Sequence, residues 1–321
     1  MVDKYLPLLE AEIKNQRFGE QPVSLYEPIR YIMGLGGKRL RPLLTIFSYS
    51  LFRNDAEKIV KYAAAVEAFH NFTLLHDDIM DNAPLRRGKA TVHEKWNVNT
   101  AILSGDVMLV KVYDMFLDLD GETLKEVLRL FNTCAAAVCE GQQWDMEFES
   151  KSRVSTEQYV AMISQKTAVL LGFSLELGAL LAGASENDRR ILQQAGTDLG
   201  VGFQLHDDLL DVFGNKKKFG KQVGGDIIAN KKTFLLIEAL RRSKGKDKTE
   251  LTRWLNAKKF DKRKKVAAVT AIYNRLGVQL ETEAKISSCF RKGFDGLQKL
   301  SVHEKLGPLL DFAHSLANRQ H

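Results

Sequence analysis

Prolines stand only at positions 7, 22, 28, 42, 84 and 308, so the 223 residues from 85 to 307 contain none. Proline removes a backbone donor and clashes with the preceding turn, so a run of that length without it permits long uninterrupted helices. Apolar residues recur at spacings of three and four, as in Tyr62, Val66, Phe69, Phe72 and Thr73, and sustained period-two alternation is hard to find. The pattern predicts an all-α chain. Clusters of turn formers at 34–37, 82–88, 118–121, 183–187, 214–225 and 243–247 divide it into ten or more helices of ordinary length. No Pro- or Ser-rich linker separates the parts, so residues 1–321 are read as one domain, with enough apolar residues (45%) to bury a core.

The most apolar stretch, Thr167 to Ala184, reaches the length of a membrane span but carries Glu176 at its middle and Gly172, Gly178 and Gly183 along it. It is expected to be a buried helix, and no transmembrane segment is expected. The N-terminus mixes acids and bases with short apolar stretches, which is neither signal-like nor transit-like. Cys134, Cys139 and Cys289 are an odd number without CxxC spacing; they are expected to be packing residues in a reducing, cytoplasmic setting. The net charge of +7 is concentrated: residues 241–265 hold twelve basic residues against three acidic ones, and the remainder of the chain is slightly acidic. That segment has one aromatic near its centre, Trp254, and no recognised nucleic-acid motif, so a solvated face is expected and no nucleic-acid partner.

One segment echoes another 130 residues away: LLHDDIMD at 74–81 and QLHDDLLD at 204–211. On a helix, positions i and i+4 share a face, so Asp77 with Asp81, and Asp207 with Asp211, each project two carboxylates in one direction. Such pairs destabilise a helix unless cations compensate them. Hard oxygen ligands without His or Cys suit Mg²⁺, which retains waters and binds substrate phosphates. The cations for those phosphates are sought in GGKRLRP (36–42), in Arg86-Arg87-Gly88 just after the first acidic segment, and in Lys166-Thr167, Lys221 and Lys231.

Taken together these residues resemble the trans-isoprenyl diphosphate synthases, or short-chain polyprenyl synthetases. The likeness covers nearly the whole chain: GGKRLRP (36–42), EAFHNFTLLHDDIMDNAPLRRG (67–88), GQQWDMEFE (141–149), QKT (165–167), GFQLHDDLLD (202–211), GKQVGGDI (220–227) and NKKT (230–233). The resemblance implies a single-domain helical bundle of the isoprenoid synthase type, homodimeric, with a central apolar cavity between two DDxxD helices. It implies three Mg²⁺ ions on Asp77, Asp81 and Asp207, with Asp78, Asp208 and Asp211 supporting. It further implies that Arg86, Lys166, Lys221 and Lys231 hold an allylic diphosphate and that Lys38, Arg41, His70 and Arg87 hold isopentenyl diphosphate. Gln204 and Thr167 would line the reacting centre. Where members place a basic C-terminal residue over the second site, only Arg319 matches, and weakly.

The implied reaction ionises a C–O bond, so cations preorganised around the leaving diphosphate lower the barrier. The allylic cation needs dry apolar walls, which Phe69, Phe72, Leu74, Leu75 and the helix from Ala168 onward are expected to supply. Phe72, five residues before Asp77, lies about 7.5 Å further down the helix and is expected to act as a floor, with Phe69 below it. Thr73 at four before, and a motif without insertion, resemble makers of C20 rather than C15 products; geranylgeranyl diphosphate is expected, with farnesyl diphosphate second. A non-catalytic subunit of a heteromeric synthase would usually lose one aspartate motif, and a terpene cyclase would carry a different second motif. This chain keeps both.

Overall fold

The computed structural model describes residues 1–214 and 224–317. In chain order the helices are α1 (Val2–Asn15), α2 (Val23–Gly34), α3 (Leu40–Ser50), α4 (Val60–Met80), α5 (Val92–Lys95), α6 (Val98–Asp114), α7 (Gly121–Ser150) and α8 (Thr156–Ile163). There follow α9 (Val169–Leu181), α10 (Glu186–Phe213), α11 (Gly225–Ala229), α12 (Phe234–Arg242), α13 (Gly245–Asn256), α14 (Lys262–Arg275), α15 (Val278–Leu297) and α16 (Gly307–Ala317). The all-α expectation holds among the described residues, with one exception. Leu85–Arg86 and Lys89–Ala90 form a two-residue antiparallel hairpin inside the break read at 82–88.

The chain forms two compact units. One comprises Met1–Thr133, Phe173–Gln193 and Leu300–Leu309; the other comprises Cys134–Gly172, Gln194–Lys299 and Leu310–His321.

In the first unit an aromatic cluster occupies the core. Phe131 stands edge-on to Phe69 (centroids 4.9 Å apart) and to Tyr113 (5.1 Å), and Phe116 and Phe173 approach it at 5.9 and 6.0 Å. Such edge-to-face pairs add to simple area burial and fix ring orientation. Glycines let α9 approach α3 at backbone distance: a Cβ built on Gly178 would lie 2.1 Å from the Thr45 carbonyl oxygen. Beside that contact the buried Ser48 hydroxyl donates to the Leu175 carbonyl at 2.5 Å. The stretch from Thr156 to Leu181 is long and apolar enough to cross a membrane, yet more than half of its most apolar part is buried inside the protein, as the sequence led us to expect.

The second unit packs α8, α10, α12, α14 and α15 around Tyr159, Leu205, Leu235, Leu251, Ile272, Val278 and Phe290. Between α8 and α9 the helix widens into one π-turn, Ser164–Ala168. Cys134 and Cys289 are buried packing residues as expected; Cys139 is exposed, which corrects the expectation for that residue.

Gly178→Ala forces atoms into the Thr45 carbonyl and should cost about 2 kcal/mol, in the range for overpacking a close contact. The check is a fall in melting temperature without loss of helical circular dichroism.

Candidate active site

Helix α4 ends at Met80, so the first aspartate motif sits at a helix C-terminus, where the backbone dipole disfavours carboxylates. Asp81 is the residue just past the helix, although its amide still bonds to the Asp77 carbonyl at 2.9 Å. The compensation comes from Arg86. Its Nε donates to both carboxylate oxygens of Asp78 (2.9 and 2.8 Å), and its Nη2 lies 2.7 Å from Asp78 and 3.5 Å from Asp77. Asp78 is 2% exposed and its burial holds the carboxyl above the ordinary range despite Arg86. Asp78 is thus committed to the protein, whereas Asp77 is half-buried and Asp81 exposed.

The hairpin delivers Arg86. Its two central residues, Arg87 (φ 53°) and Gly88 (φ 73°), both take positive φ, the pattern of a type I′ turn matched to the strand twist. The Arg87 guanidinium then lies against Gly37: a Cβ there would be 2.8 Å from both Nη atoms. Gly37 has φ 143° and no side chain, so the turn before α3 and the hairpin meet.

A second arginine with positive φ, Arg39 (46°), anchors that turn. Its side chain is 1% exposed, bonded to Glu67 at 2.7 Å, to Glu10 at 2.8 and 3.3 Å, and to the Met33 carbonyl at 3.1 Å. Lys38, on one side of it, is exposed; Arg41, on the other, donates from Nη1 to His70 Nε2 at 3.1 Å. Burial, and then Arg41, Arg87, Arg86 and Arg39 in that order, hold His70 well below the usual imidazole range. His70 is therefore neutral and its Nε2 accepts, which places the ring proton on Nδ1. The predicted Arg41, His70, Arg86 and Arg87 accordingly lie in one unit, along α4 and the turn and hairpin beside it, with Lys38 exposed on that turn.

The chain-length residues lie along the same helix. Phe72 packs between Phe69 (5.7 Å) and the His76 ring (4.8 Å), and the Thr73 hydroxyl donates to the His70 carbonyl at 2.8 Å.

In the second unit the π-turn sets Lys166 and Thr167. The Lys166 backbone packs directly on α7, where a Cβ on Gly141 would be 2.2 Å from the Lys166 nitrogen. π-turns of this kind recur at functional sites because they re-aim a side chain within a helix. Lys166 Nζ pairs with Asp145 at 2.6 Å, and Lys231 Nζ approaches the same carboxylate at 3.7 Å. Burial pushes Asp145 up, but Lys231 and Lys166 outweigh it and hold the carboxyl below its ordinary value.

Thr167 donates to Gln204 Oε1 at 3.2 Å, and Gln204 Nε2 donates to Asp208 at 3.0 Å, so both ends of the amide are spoken for. Asp208 is buried and also accepts from the Tyr159 hydroxyl; burial and nearby Asp226 push it up to about 7. Asp211 accepts from the Asp226 amide at 3.0 Å at the start of α11, a structural duty. Of this motif Asp207 is the exposed carboxylate. Lys221 and Arg319 lie outside the described residues.

Sequence reasoning missed Asp145, Tyr159, Glu67 and Arg39. Asp145 stood inside a quoted motif, where a carboxylate between Trp144 and Met146 was the available signal; nothing in the sequence singled out Tyr159 as a partner of Asp208.

Among the described residues no three His, Cys, Asp or Glu side chains form a ready cluster for an ion. An all-aspartate donor set without such a cage fits Mg²⁺, which binds through one or two carboxylates and substrate phosphates.

Comparison with known proteins decides the family. The polyprenyl synthetase profile matches residues 22–273. The chain belongs to the polyprenyl synthetase family. It is 41% identical over 237 residues to a short chain isoprenyl diphosphate synthase of Methanocaldococcus jannaschii, covering 74% of this chain and 72% of that one. It is 39% identical over 264 residues to a geranylgeranyl diphosphate synthase of Sulfolobus acidocaldarius, covering 81% and 80%. A crystal structure of a geranylgeranyl pyrophosphate synthase superposes with a TM-score of 0.92 at 41% identity, covering 99% of this chain and 98% of that one. The helical fold expected from the resemblance is thereby shown for a polyprenyl synthetase.

Because the fold keeps His70 neutral and unfolding releases it to bind a proton near pH 6.5, its stabilising contribution is complete above that pH and is lost as pH falls below it. Melting temperature measured from pH 8 to pH 5 should fall on the acid side, and His70→Gln should flatten that fall.

Proposed function

We propose that this chain condenses isopentenyl diphosphate head-to-tail with an allylic diphosphate of five to fifteen carbons, releasing diphosphate, with geranylgeranyl diphosphate as the product. The observation that carries this reading is the gathering of Arg41, His70, Arg86 and Arg87 beside the first aspartate motif in a member of this family. Residues 1–321 are read as one polyprenyl synthetase domain, acting in the cytoplasm. No nucleic acid takes part.

Asp77, Asp81 and Asp207 would hold three Mg²⁺ ions, which supply charge to the allylic diphosphate as its C–O bond breaks. Arg86, Lys166, Lys221 and Lys231 bind the same group. Lys166 and Lys231 start from a shared carboxylate, Asp145, which keeps two ammoniums close together before any phosphate arrives. Lys38, Arg41, Arg87 and neutral His70 bind the second diphosphate; Nδ1–H lets His70 donate without adding charge. The new carbon–carbon bond joins C4 of isopentenyl diphosphate to C1 of the allylic cation, and the proton lost in closing the double bond passes to the released diphosphate. Thr167 and Gln204 flank the reacting carbons, and their mutual hydrogen bond and that of Gln204 to Asp208 keep them from acting as nucleophiles. Phe72, backed by Phe69, ends the chain.

The chain is proposed to work as a homodimer. In support, Leu103, Val110 and Leu117 are 58%, 58% and 61% exposed at seven-residue spacing along and just beyond α6, a stripe that a second copy would cover.

The deciding experiment incubates the protein with Mg²⁺, labelled isopentenyl diphosphate and separate C5, C10 and C15 starters, sizing products by chromatography. A C20 end point is expected, abolished by chelator and reduced at least about a thousandfold by Asp77→Ala, as for loss of a main electrostatic contributor. Phe72→Ala should lengthen the product; an unchanged length removes the floor. No turnover from any starter returns the non-catalytic subunit to the front.

Asp145→Asn leaves Lys166 and Lys231 to repel each other, so the KM for the allylic substrate should rise about tenfold while that for isopentenyl diphosphate stays unchanged. Steady-state kinetics with each substrate varied in turn reads the split.

A further inference from the structure

The basic segment 241–265 is not balanced by its own acids. Asp247 and Glu250 are engaged by Arg275 at 2.7 and 3.4 Å, and Asp261 caps α14 by accepting from the Lys264 amide at 2.9 Å. Three of the twelve cations are also accounted for: Arg241 and Arg242 pair with Glu238, and Lys265 is buried, its Nζ bonded to Asn230 at 2.6 Å and to the Ile228 carbonyl at 3.3 Å. The other nine are Lys244, Lys246, Lys248, Arg253, Lys258, Lys259, Lys262, Arg263 and Lys264. All nine are exposed, and none forms a salt bridge within 4 Å among the described residues. Lys244 immediately precedes α13, and the other eight lie on α13, α14 and the loop joining them, two helices packed on each other.

Nine exposed cations without a salt bridge among the described residues, on or beside one helical pair, are a standing electrostatic cost that salt or an anionic surface relieves. We propose that this helical pair is a docking surface for an anionic lipid bilayer. Seven of the nine are lysines, hydrated point charges suited to diffuse attraction rather than to the bidentate recognition arginine gives nucleic acids. The aromatics that could stack on bases are already covered: the Arg253 guanidinium lies 5.3 Å from the Trp254 ring, and Lys265 Nζ lies 4.2 Å from that of Phe260. A bilayer is also where a prenyl diphosphate product, a charged head on a long hydrocarbon tail, partitions. That last support rests on the proposed function; the charge argument does not.

The test is co-sedimentation of the full chain with vesicles of phosphatidylcholine alone or with about a third phosphatidylglycerol, at low and at raised salt. Binding to the anionic vesicles only, weakened by salt, is expected. The variant Lys258→Glu, Lys259→Glu, Lys262→Glu, Arg263→Glu should partition at least about a hundredfold less, with unchanged melting temperature and unchanged condensation rate in vesicle-free buffer. Absence of binding to anionic vesicles, equal binding by the variant, or tighter binding to duplex RNA than to vesicles at the same salt would overturn the proposal. Vesicle binding without condensation activity would leave the surface standing and remove the proposed function instead.

Discussion

Three carboxylates at the end of a helix repel one another and oppose the helix dipole, and the first unit is organised around relieving that conflict. The relief is Arg86, placed by a hairpin two residues deep whose turn takes positive φ at both central positions. The same turn sends Arg87 back over Gly37, so the device that neutralises Asp78 also joins the second cationic turn to the site. The neutralisation is partial. Asp78 is held by Arg86 through both of its oxygens, whereas Asp77 is half-buried and meets Arg86 at 3.5 Å, and Asp81 is exposed. Burial thus sets the three aspartates of the motif apart: one is buried on an arginine, one half-buried and one exposed.

The second unit divides its aspartates the same way by different means. Asp208 is buried against Tyr159 and Gln204, and Asp211 accepts the start of α11, leaving Asp207 exposed. Here two cations share a carboxylate outside the motif. Lys166 and Lys231 sit on Asp145 of α7, and a π-turn, possible because position 141 is glycine, aims Lys166 there. Arg86 on Asp78, and Lys166 with Lys231 on Asp145, thus each rest on a carboxylate of their own unit rather than standing as bare charge.

Much of this was legible beforehand. The proline-free run and the three-four spacing announced helices, and the repeated HDDxxD with its attendant cations announced the chemistry. Most of the breaks fell where turn formers clustered. What the chain did not reveal depended on long-range partners. Arg39 looked like one more cation in GGKRLRP, yet its guanidinium is a buried strut between Glu10 and Glu67, residues 29 and 28 positions away. Tyr159 carried no local signal because its meaning lies in Asp208, 49 residues on. The helical spacing that pairs Asp207 with Asp211 likewise could not show the Asp226 amide that bonds to Asp211: spacing reports the face of a helix, not what the rest of the fold lays against it.

In the proposed reaction, a residue that ends a growing hydrocarbon must be rigid, since a ring free to swing aside would slow elongation without stopping it. Phe72 meets that requirement. Its ring is held by Phe69 on one side and by His76 on the other, and His76 in turn lies against α6, where a Cβ on Gly105 would be 2.3 Å from its Nε2. Phe69 is tied edge-on to Phe131 and through it to the aromatic core. The two rings are three residues apart, about 4.5 Å along the helix axis, close to the reach of one isoprene unit. A second rigid ring one unit below the first means that removing Phe72 relocates the stop rather than abolishing it, and product length should then step by a single five-carbon unit instead of spreading into a distribution.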